Sequence, residues 1–146
     1  MQIEVKIDAG CPGTKVIIVT GEMTEEINLL VRKISEHRPS VIAGFQDGEV
    51  TILDLDKVYR FYSSGQKVYA ASENGEYTVR LRLYELEQRV SPSEFVRISN
   101  SEIINLKRAE GFDLSFSGTI CVKLRDGSTS YVSRRYVTKI KQVLGI

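Results

Sequence analysis

Hydrophobic and polar residues alternate in the first segments of the chain, a spacing typical of half-buried β-strands. Residues 3–7 alternate strictly, and residues 15–20 are rich in β-branched side chains, so each segment is a predicted strand. The apolar positions then change to helical spacing, at Ile27, Leu30, Val31 and Ile34. Pro39 is expected to end this helix, because the residue before a proline avoids the helical conformation. Residues 1–40 are therefore a predicted small β-β-α unit, with a regulatory or dimerisation role.

From residue 41 onward, short predicted strands follow one another between turn signals. Residues 41–53 and residues 58–71 each predict a hairpin, the first with Asp-Gly as its turn. Residues 84–89 predict a short helix, whereas residues 100–105 fit either a strand or a helical turn. Because turn signals recur at intervals of about 8–12 residues, residues 41–146 are predicted to form a mostly β (α+β) domain with antiparallel pairing.

The C-terminal segment combines the tightest turn signal of the chain with an amphipathic helix. Residues 125–128, Arg-Asp-Gly-Ser, separate two predicted strands. Ser133 is a favourable N-cap residue, and the helix is predicted to run from Arg134 to Leu144 and to end at Gly145.

Composition narrows the class of protein. The chain has 146 residues, of which 42% are hydrophobic, which is enough for a core and argues against disorder. No apolar run approaches the about 20 residues that a membrane-spanning helix needs, and residues 1–6 lack the layout of a signal peptide. We therefore expect a cytoplasmic protein, in which Cys11 and Cys121 are reduced thiols.

The formal net charge of +1 conceals an uneven distribution. Residues 1–56 carry five basic and ten acidic side chains, a charge of −5, whereas residues 57–146 carry 15 basic and nine acidic side chains, a charge of +6. The basic excess is greatest in residues 123–141. Such a division predicts that only the second part of the chain binds a polyanion.

Catalytic and metal-binding motifs are absent from the sequence. His37 is the single histidine, so a nucleophilic site that uses an imidazole base would have to include it. The sequence has no Cys-x-x-Cys, no His-x-x-x-His and no glycine-rich phosphate-binding motif. We therefore expect no enzyme activity, no cofactor and no metal, and keep a small hydrolase as a third interpretation that depends on His37 or a serine.

Four motifs, in this order and spacing, carry a more specific signal. Residues 83–87 read Leu-Tyr-Glu-Leu-Glu, and residues 95–105 contain Phe-x-Arg-x-x-x-Ser-x-x-x-Asn. Residues 124–127 follow the pattern Leu-x-Asp-Gly, and residues 132–136 read Val-Ser-Arg-Arg-Tyr. Together they resemble the LytTR family of bacterial DNA-binding domains, over about residues 44–146. The resemblance implies stacked antiparallel β-sheets with short helices, and loops that enter successive grooves of DNA.

The resemblance also implies which residues contact DNA. Arg135 matches the arginine at the start of the last helix, where a guanidinium can donate to O6 and N7 of guanine. Asn100 matches a polar position that meets a phosphate or a minor-groove base edge. The full set of predicted DNA contacts is Arg135, Arg134, Asn100, Lys67, Gln66, Arg97, Ser133 and Lys139. Additional phosphate candidates are Lys107, Arg108 and Lys141, while Asn105 and Ser101 are interpreted as structural.

The function that follows is sequence-specific binding of double-stranded DNA as a bacterial transcriptional regulator. The short segment before the domain leaves no room for a phosphoreceiver domain, so the chain resembles the stand-alone class of the family. We expect paired half-sites and a homodimer, and the resemblance alone implies a small membrane protein as inhibitor. The alternative is a non-enzymatic protein-interaction or sensor module on the same β scaffold.

Overall fold

The computed structural model describes residues 1–35, 41–115 and 118–146. The chain divides into two units, Met1–Arg38 and Pro39–Ile146. His37 and Pro39, which the sequence singled out, lie outside the described residues.

The first unit contains one helix but not the two predicted strands. Helix α1 spans Glu25–Ser35, and the Thr24 hydroxyl accepts a hydrogen bond from the amide of Ile27 at 3.3 Å. Residues 3–7 and 15–20 form no strand ladder, so the prediction of a β-β-α unit is wrong for its strands. Alternation alone does not make a sheet, because a ladder needs a paired neighbour and a surface that covers its apolar face.

The second unit contains ten strands and two α-helices among the described residues. The strands are β1 Ala43–Gln46, β2 Glu49–Ile52, β3 Val58–Ser64, β4 Lys67–Ser72, β5 Gly75–Val79, β6 Phe95–Ser99, β7 Glu102–Asn105, β8 Ala109–Asp113, β9 Ile120–Leu124 and β10 Thr129–Val132. The helices are α2 Leu83–Arg89 and α3 Val137–Leu144. Short 3-10 helices are found at Leu55–Lys57, Leu106–Arg108 and Arg134–Tyr136.

The strands form two antiparallel sheets, which confirms the predicted mostly β class. One sheet has seven strands in the order β2-β1-β5-β4-β3-β7-β6, and the other has three in the order β10-β9-β8. Both predicted hairpins of the first sheet are present, and Asp47 and Gly48 have φ of 50° and 80° in the β1–β2 turn. Residues 100–105, which fit two interpretations, contain strand β7.

The seven-stranded sheet separates two hydrophobic cores. Helix α2 packs on one face, where Leu83 and Leu86 join a cluster that includes Phe95 and Ile103. The three-stranded sheet and α3 pack on the opposite face, in a cluster that contains Val96, Ile98, Ile104, Ile120, Val122, Leu124, Val132 and Ile140. Neighbouring residues of β6 and β7 therefore point into different cores.

A buried amide connects the end of β7 to the beginning of β3. The Asn105 side chain is fully buried and donates hydrogen bonds to the carbonyl oxygens of Val58 at 2.9 Å and of Leu55 at 3.3 Å. Its Oδ1 accepts a hydrogen bond from the amide of Lys107 at 3.0 Å. The predicted structural role of Asn105 is thereby confirmed, since its polar atoms bind backbone groups.

A polar bridge joins the two sheets on the opposite face. The Glu102 carboxylate of β7 accepts hydrogen bonds from Arg60 of β3 at 2.9 Å and from the buried Ser130 of β10 at 2.6 Å. The Tyr62 ring lies beside this bridge. The Arg60 guanidinium lies 4.5 Å from the ring centre of Tyr62, and that ring stacks on Tyr69 with centres 5.2 Å apart. Burial and the neighbouring Glu76 carboxylate raise the pKa of Tyr62 to about 12.

Replacement of Asn105 should destabilise the second unit. Asn105→Ala leaves the carbonyl of Val58 and the amide of Lys107 without their partner, which is expected to lower the free energy of unfolding by about 2–3 kcal/mol. Urea unfolding measures the change. Asn74→Ala, in the exposed β4–β5 turn, is the matched control and should stay within about 0.5 kcal/mol of the wild type. Equal stabilities of the two variants would contradict the role of Asn105.

Tyr62 should contribute a pH-dependent part of the stability at alkaline pH. A raised pKa means that the fold favours the neutral phenol, so this contribution is complete below pH 10 and is lost as the pH rises to about 12. Tyr62→Phe should therefore lose less free energy of unfolding over this range than the wild type does, in urea unfolding at a series of pH values. Tyr131→Phe is the control, because its ring is 65% exposed. The same pH dependence in Tyr62→Phe as in the wild type would exclude this contribution.

Candidate nucleic-acid interface

Three segments that are distant in the chain meet at one end of the seven-stranded sheet. The amide of Ser63, near the end of β3, donates to the carbonyl of Ser101 in the β6–β7 turn at 2.9 Å. The amide of Ser133, which follows β10, donates to the carbonyl of Ile98 at 2.9 Å. The β3–β4 turn, the β6–β7 turn and the segment after β10 therefore lie side by side, and we call these three segments the recognition end.

The β3–β4 turn presents two of the predicted contact residues. Strand β3 ends at Ser64, which pairs with Lys67, so Gly65 and Gln66 form a two-residue turn. Gly65 has φ of 62°, a conformation that glycine adopts without a steric penalty. Gln66 and Lys67 are both exposed, and Lys67 starts β4 at the tip of the hairpin.

The β6–β7 turn presents Asn100, whose side chain is exposed. The hydroxyl of Ser99 accepts a hydrogen bond from the amide of Ser101 at 3.2 Å, which fixes the backbone on either side of Asn100. The Tyr136 hydroxyl donates to Oδ1 of Asn100 at 3.3 Å. This contact connects the turn directly to the segment that carries Arg134 and Arg135.

The last helix begins differently from the prediction. Residues Arg134–Tyr136 form a 3-10 helix and α3 begins at Val137, so the predicted single helix from Arg134 is wrong in its first turn. Ser133 makes no side-chain capping bond, and its backbone amide donates to the carbonyl of Ile98 in β6. The predicted end of the helix at Gly145 is confirmed, with φ of 72°.

Four exposed basic side chains lie at or next to the recognition end. Arg134 and Arg135 follow Ser133 after the end of β10, and Lys139 lies in the first turn of α3. The fourth is Lys67 of the β3–β4 turn. Within the described part of the chain, none of the four side chains forms an ion pair. Their charge is therefore not neutralised by a described carboxylate.

Arg97 is placed differently from the other predicted contacts. It lies on the α2 side of β6, its side chain is only 13% exposed, and it forms an ion pair with Glu87 of α2. The guanidinium also donates to the carbonyls of Ser99 and Asn100, each at 2.6 Å. The sequence correctly indicated a polar environment for this residue, but the pairing with α2 is a long-range contact that spacing does not reveal.

Two of the additional phosphate candidates are distant from the recognition end. Lys107 and Arg108 follow β7 at its opposite end, where Lys107 lies 2.9 Å from Glu94 and Arg108 lies 2.8 Å from Glu73. Hydrogen bonding to Glu94 raises the pKa of Lys107. Both cations are paired with carboxylates of the fold, and a phosphate contact by either of them stays a prediction.

Two polar side chains that support the recognition end, those of Tyr136 and Glu102, were not evident as supporting groups from the sequence. Tyr136 and Glu102 stand directly beside predicted contact residues, and each makes a hydrogen bond to a distant part of the chain. The sequence contains a signal for Glu102, because this glutamate directly precedes the apolar residues Ile103 and Ile104. A carboxylate in such a position needs a hydrogen-bond partner.

Across residues 1–35, 41–115 and 118–146, no group of three or more His, Cys, Asp and Glu side chains is arranged to hold a metal ion. The helices of the same ranges include none that is long and apolar enough to cross a membrane.

Comparison with known proteins agrees with this arrangement. The chain is 31% identical over 147 residues to an HTH-type transcriptional regulator of Staphylococcus aureus strain NCTC 8325, described as uncharacterized, with 100% of this chain and 99% of the relative covered. A corresponding protein of strain MRSA252 is 30% identical with the same coverage. Among solved structures, a LytTr DNA-binding domain from Bacillus cereus matches 73% of this chain and 98% of its own with a TM-score of 0.70, at 21% identity.

The match to a family is specific for the second unit. Residues 48–145 match the family described as the LytTr DNA-binding domain, and this range includes all three segments of the recognition end. The fold of the Bacillus cereus structure agrees with the two antiparallel sheets. The chain belongs to the LytTR family of DNA-binding domains.

Proposed function

We propose that the protein is a transcriptional regulator that binds specific double-stranded DNA through its recognition end. The observation that carries the proposal is the convergence of two turns and the segment after β10, which present Lys67, Asn100 and Arg135 together. Membership of a DNA-binding family and the regulator names of its Staphylococcus relatives support the same conclusion. The proposed activity is binding without catalysis, at DNA in the cytoplasm.

Each part of the recognition end supplies a suitable chemical group. The Arg135 guanidinium is exposed and can donate two parallel hydrogen bonds to O6 and N7 of guanine. The Asn100 amide and the Gln66 amide each offer a donor and an acceptor for a base edge or phosphate. Lys67, Arg134 and Lys139 supply positive charge for phosphates, and Ser133, which is half-buried, supplies a hydroxyl.

Exposed turns provide the base contacts in this proposal, in place of a recognition helix. Arg134 and Arg135 belong to a 3-10 helix of three residues, which is too short to lie along a major groove as an α-helix does. The β3–β4 and β6–β7 turns are nevertheless rigid enough to position side chains, because paired strands of the seven-stranded sheet are hydrogen-bonded on both sides of each tip.

The role of Arg135 can be tested with a second arginine as control. Arg135→Ala should weaken binding to a DNA selected from random sequence by about 1–3 kcal/mol and relax the preference at one base pair. Arg125→Ala removes the same charge from the β9–β10 turn, at the opposite end of that hairpin, and should change affinity little. Fluorescence anisotropy titrations measure both. Equal affinities for Arg135→Ala and the wild type would contradict the assignment.

Salt dependence separates this function from a protein-interaction module on the same scaffold. About six phosphate contacts should reduce the affinity for DNA roughly a thousandfold between 50 and 200 mM salt. A module that has lost DNA binding would show neither this slope nor a preferred sequence.

We also propose that residues 1–40 mediate dimerisation, which would place two DNA-binding units on paired half-sites. Helix α1 has no buried residue, and its side chains Val31 and Ile34 are 40% and 43% exposed. An amphipathic helix with an uncovered apolar stripe is suited to bind a second copy of itself.

Mass measurement tests the dimer. Both hydrophobic cores lie within residues 42–144, so a chain of residues 40–146 should fold without the first unit. Size-exclusion chromatography with light scattering should give a dimer for residues 1–146 and a monomer for residues 40–146. Monomeric masses for both chains would exclude dimerisation through the first unit.

A further inference from the structure

The guanidinium of Arg97 makes three contacts that meet around one turn. Its Nε donates to the carbonyl oxygen of Ser99 and its Nη2 donates to the carbonyl oxygen of Asn100, both at 2.6 Å. Its Nη1 donates to the Glu87 carboxylate of α2. One planar group therefore holds two successive carbonyls of the β6–β7 turn and is itself held by a helix.

Helix α2 provides a firm support for this contact. Leu83 and Leu86 are buried in the core on that face of the sheet, with relative exposures of 6% and 0%. Glu87, the residue that follows Leu86, remains partly exposed and reaches Arg97 across the sheet surface. Packing of α2 fixes the backbone from which Glu87 extends, and the ion pair with Glu87 holds the guanidinium against the β6–β7 turn.

We propose that Arg97 is a positioning residue for DNA recognition, which acts through the backbone of Asn100 and does not bind phosphate itself. This inference rests on the proposed function, in which Asn100 contacts DNA. Since the Asn100 side chain also accepts a hydrogen bond from Tyr136, the same turn is coupled to the segment that carries Arg135. Arg97 therefore sets the position of two of the three segments of the recognition end.

Charge and burial distinguish this role from a phosphate contact. The positive charge of Arg97 is paired with Glu87, and only 13% of its side chain is exposed. To reach a phosphate the guanidinium would have to leave the carboxylate and both turn carbonyls. Lys67, Arg134 and Arg135 present exposed charges at the same end and need no such rearrangement.

Hydrogen exchange of the DNA-free full-length chain tests the anchoring itself. Arg97→Ala and Glu87→Ala should each accelerate amide exchange of residues 98–102, because the turn loses its support. Asn100→Ala should not, since the anchored groups are backbone carbonyls. Unchanged exchange in Arg97→Ala would overturn the proposal regardless of any result with DNA.

A double-mutant cycle with a selected DNA tests the route through Asn100. Arg97→Ala alone should weaken binding about tenfold, a loss comparable to that of one base contact. In the Asn100→Ala background the same substitution should add less than about twofold, because the residue that it positions is already absent. If the double variant instead loses affinity by the product of the two single-variant factors, the proposal is overturned.

One further variant, Arg97→Lys, distinguishes a positioning role of Arg97 from a contact that depends on charge alone. Arg97→Lys keeps the charge but replaces the planar fork of three nitrogens with a single nitrogen, which cannot reach the two carbonyls and the carboxylate in the same geometry, so its affinity should resemble that of Arg97→Ala, with an unchanged salt slope. A phosphate contact predicts the opposite: rescue by lysine, and a slope in Arg97→Ala that is smaller by about 0.9. Either of these results would overturn the positioning role.

Glu87→Ala should change the affinity for DNA in opposite directions under the two explanations. Removal of a carboxylate near DNA should strengthen binding if charge alone matters, whereas loss of the Arg97 anchor should weaken it several-fold. Glu49→Ala, in the β1–β2 hairpin, is the matched control and should leave the affinity equal or slightly higher. Stronger binding by Glu87→Ala would contradict the proposal.

Failure of the proposed function can be told apart from failure of the anchoring. A wild-type chain that prefers no DNA sequence would overturn the proposed function, and with it the role of Arg97 in recognition, even where the exchange results show an anchored turn.

Discussion

Strands β6 and β7 are covered on both faces, and the arrangement of the whole second unit depends on this constraint. Phe95 and Ile103 face the core beneath α2, while Val96 and Ile104 face the core beneath the smaller sheet. A shift of one residue in either strand would exchange the two sets and place Asn105 or Glu102 on the wrong side. The register of this pair is therefore strongly determined, and with it the position of the turn that carries Asn100.

Features that depend on neighbouring residues in the chain could be predicted from the sequence, whereas features that depend on contacts between distant segments could not. The hairpins were predictable because Asp47-Gly48 and Gly65 are local signals that need no knowledge of the rest of the chain. Residues 3–7 show the same alternation as a real strand, but pairing requires a second segment at the right distance, which a pattern cannot supply. Residues 100–105 were ambiguous because β7 is buried on both faces and so does not alternate.

The candidate site was predictable in its residues but not in its connections. The motifs placed Asn100 and Arg135 in one functional group, yet the Tyr136–Asn100 bond joins residues 36 positions apart and appears only in the fold. For the same reason, charge patterns could not show which basic side chains form ion pairs. Arg97, Lys107 and Arg108 are cations in the sequence, but carboxylates from distant segments pair with them in the structure.

The turn tips are separate from the groups that hold the turns, and this separation has an evolutionary consequence. Gln66 and Asn100 extend from exposed tips, while backbone hydrogen bonds, Asn105 and the Glu102 bridge keep the sheets together. Side chains at the tips can therefore be exchanged without repacking either core. Under the proposed function, single substitutions at the tips change the preferred DNA sequence of such a regulator with little effect on its stability, because selection for a target and selection for folding act on different residues.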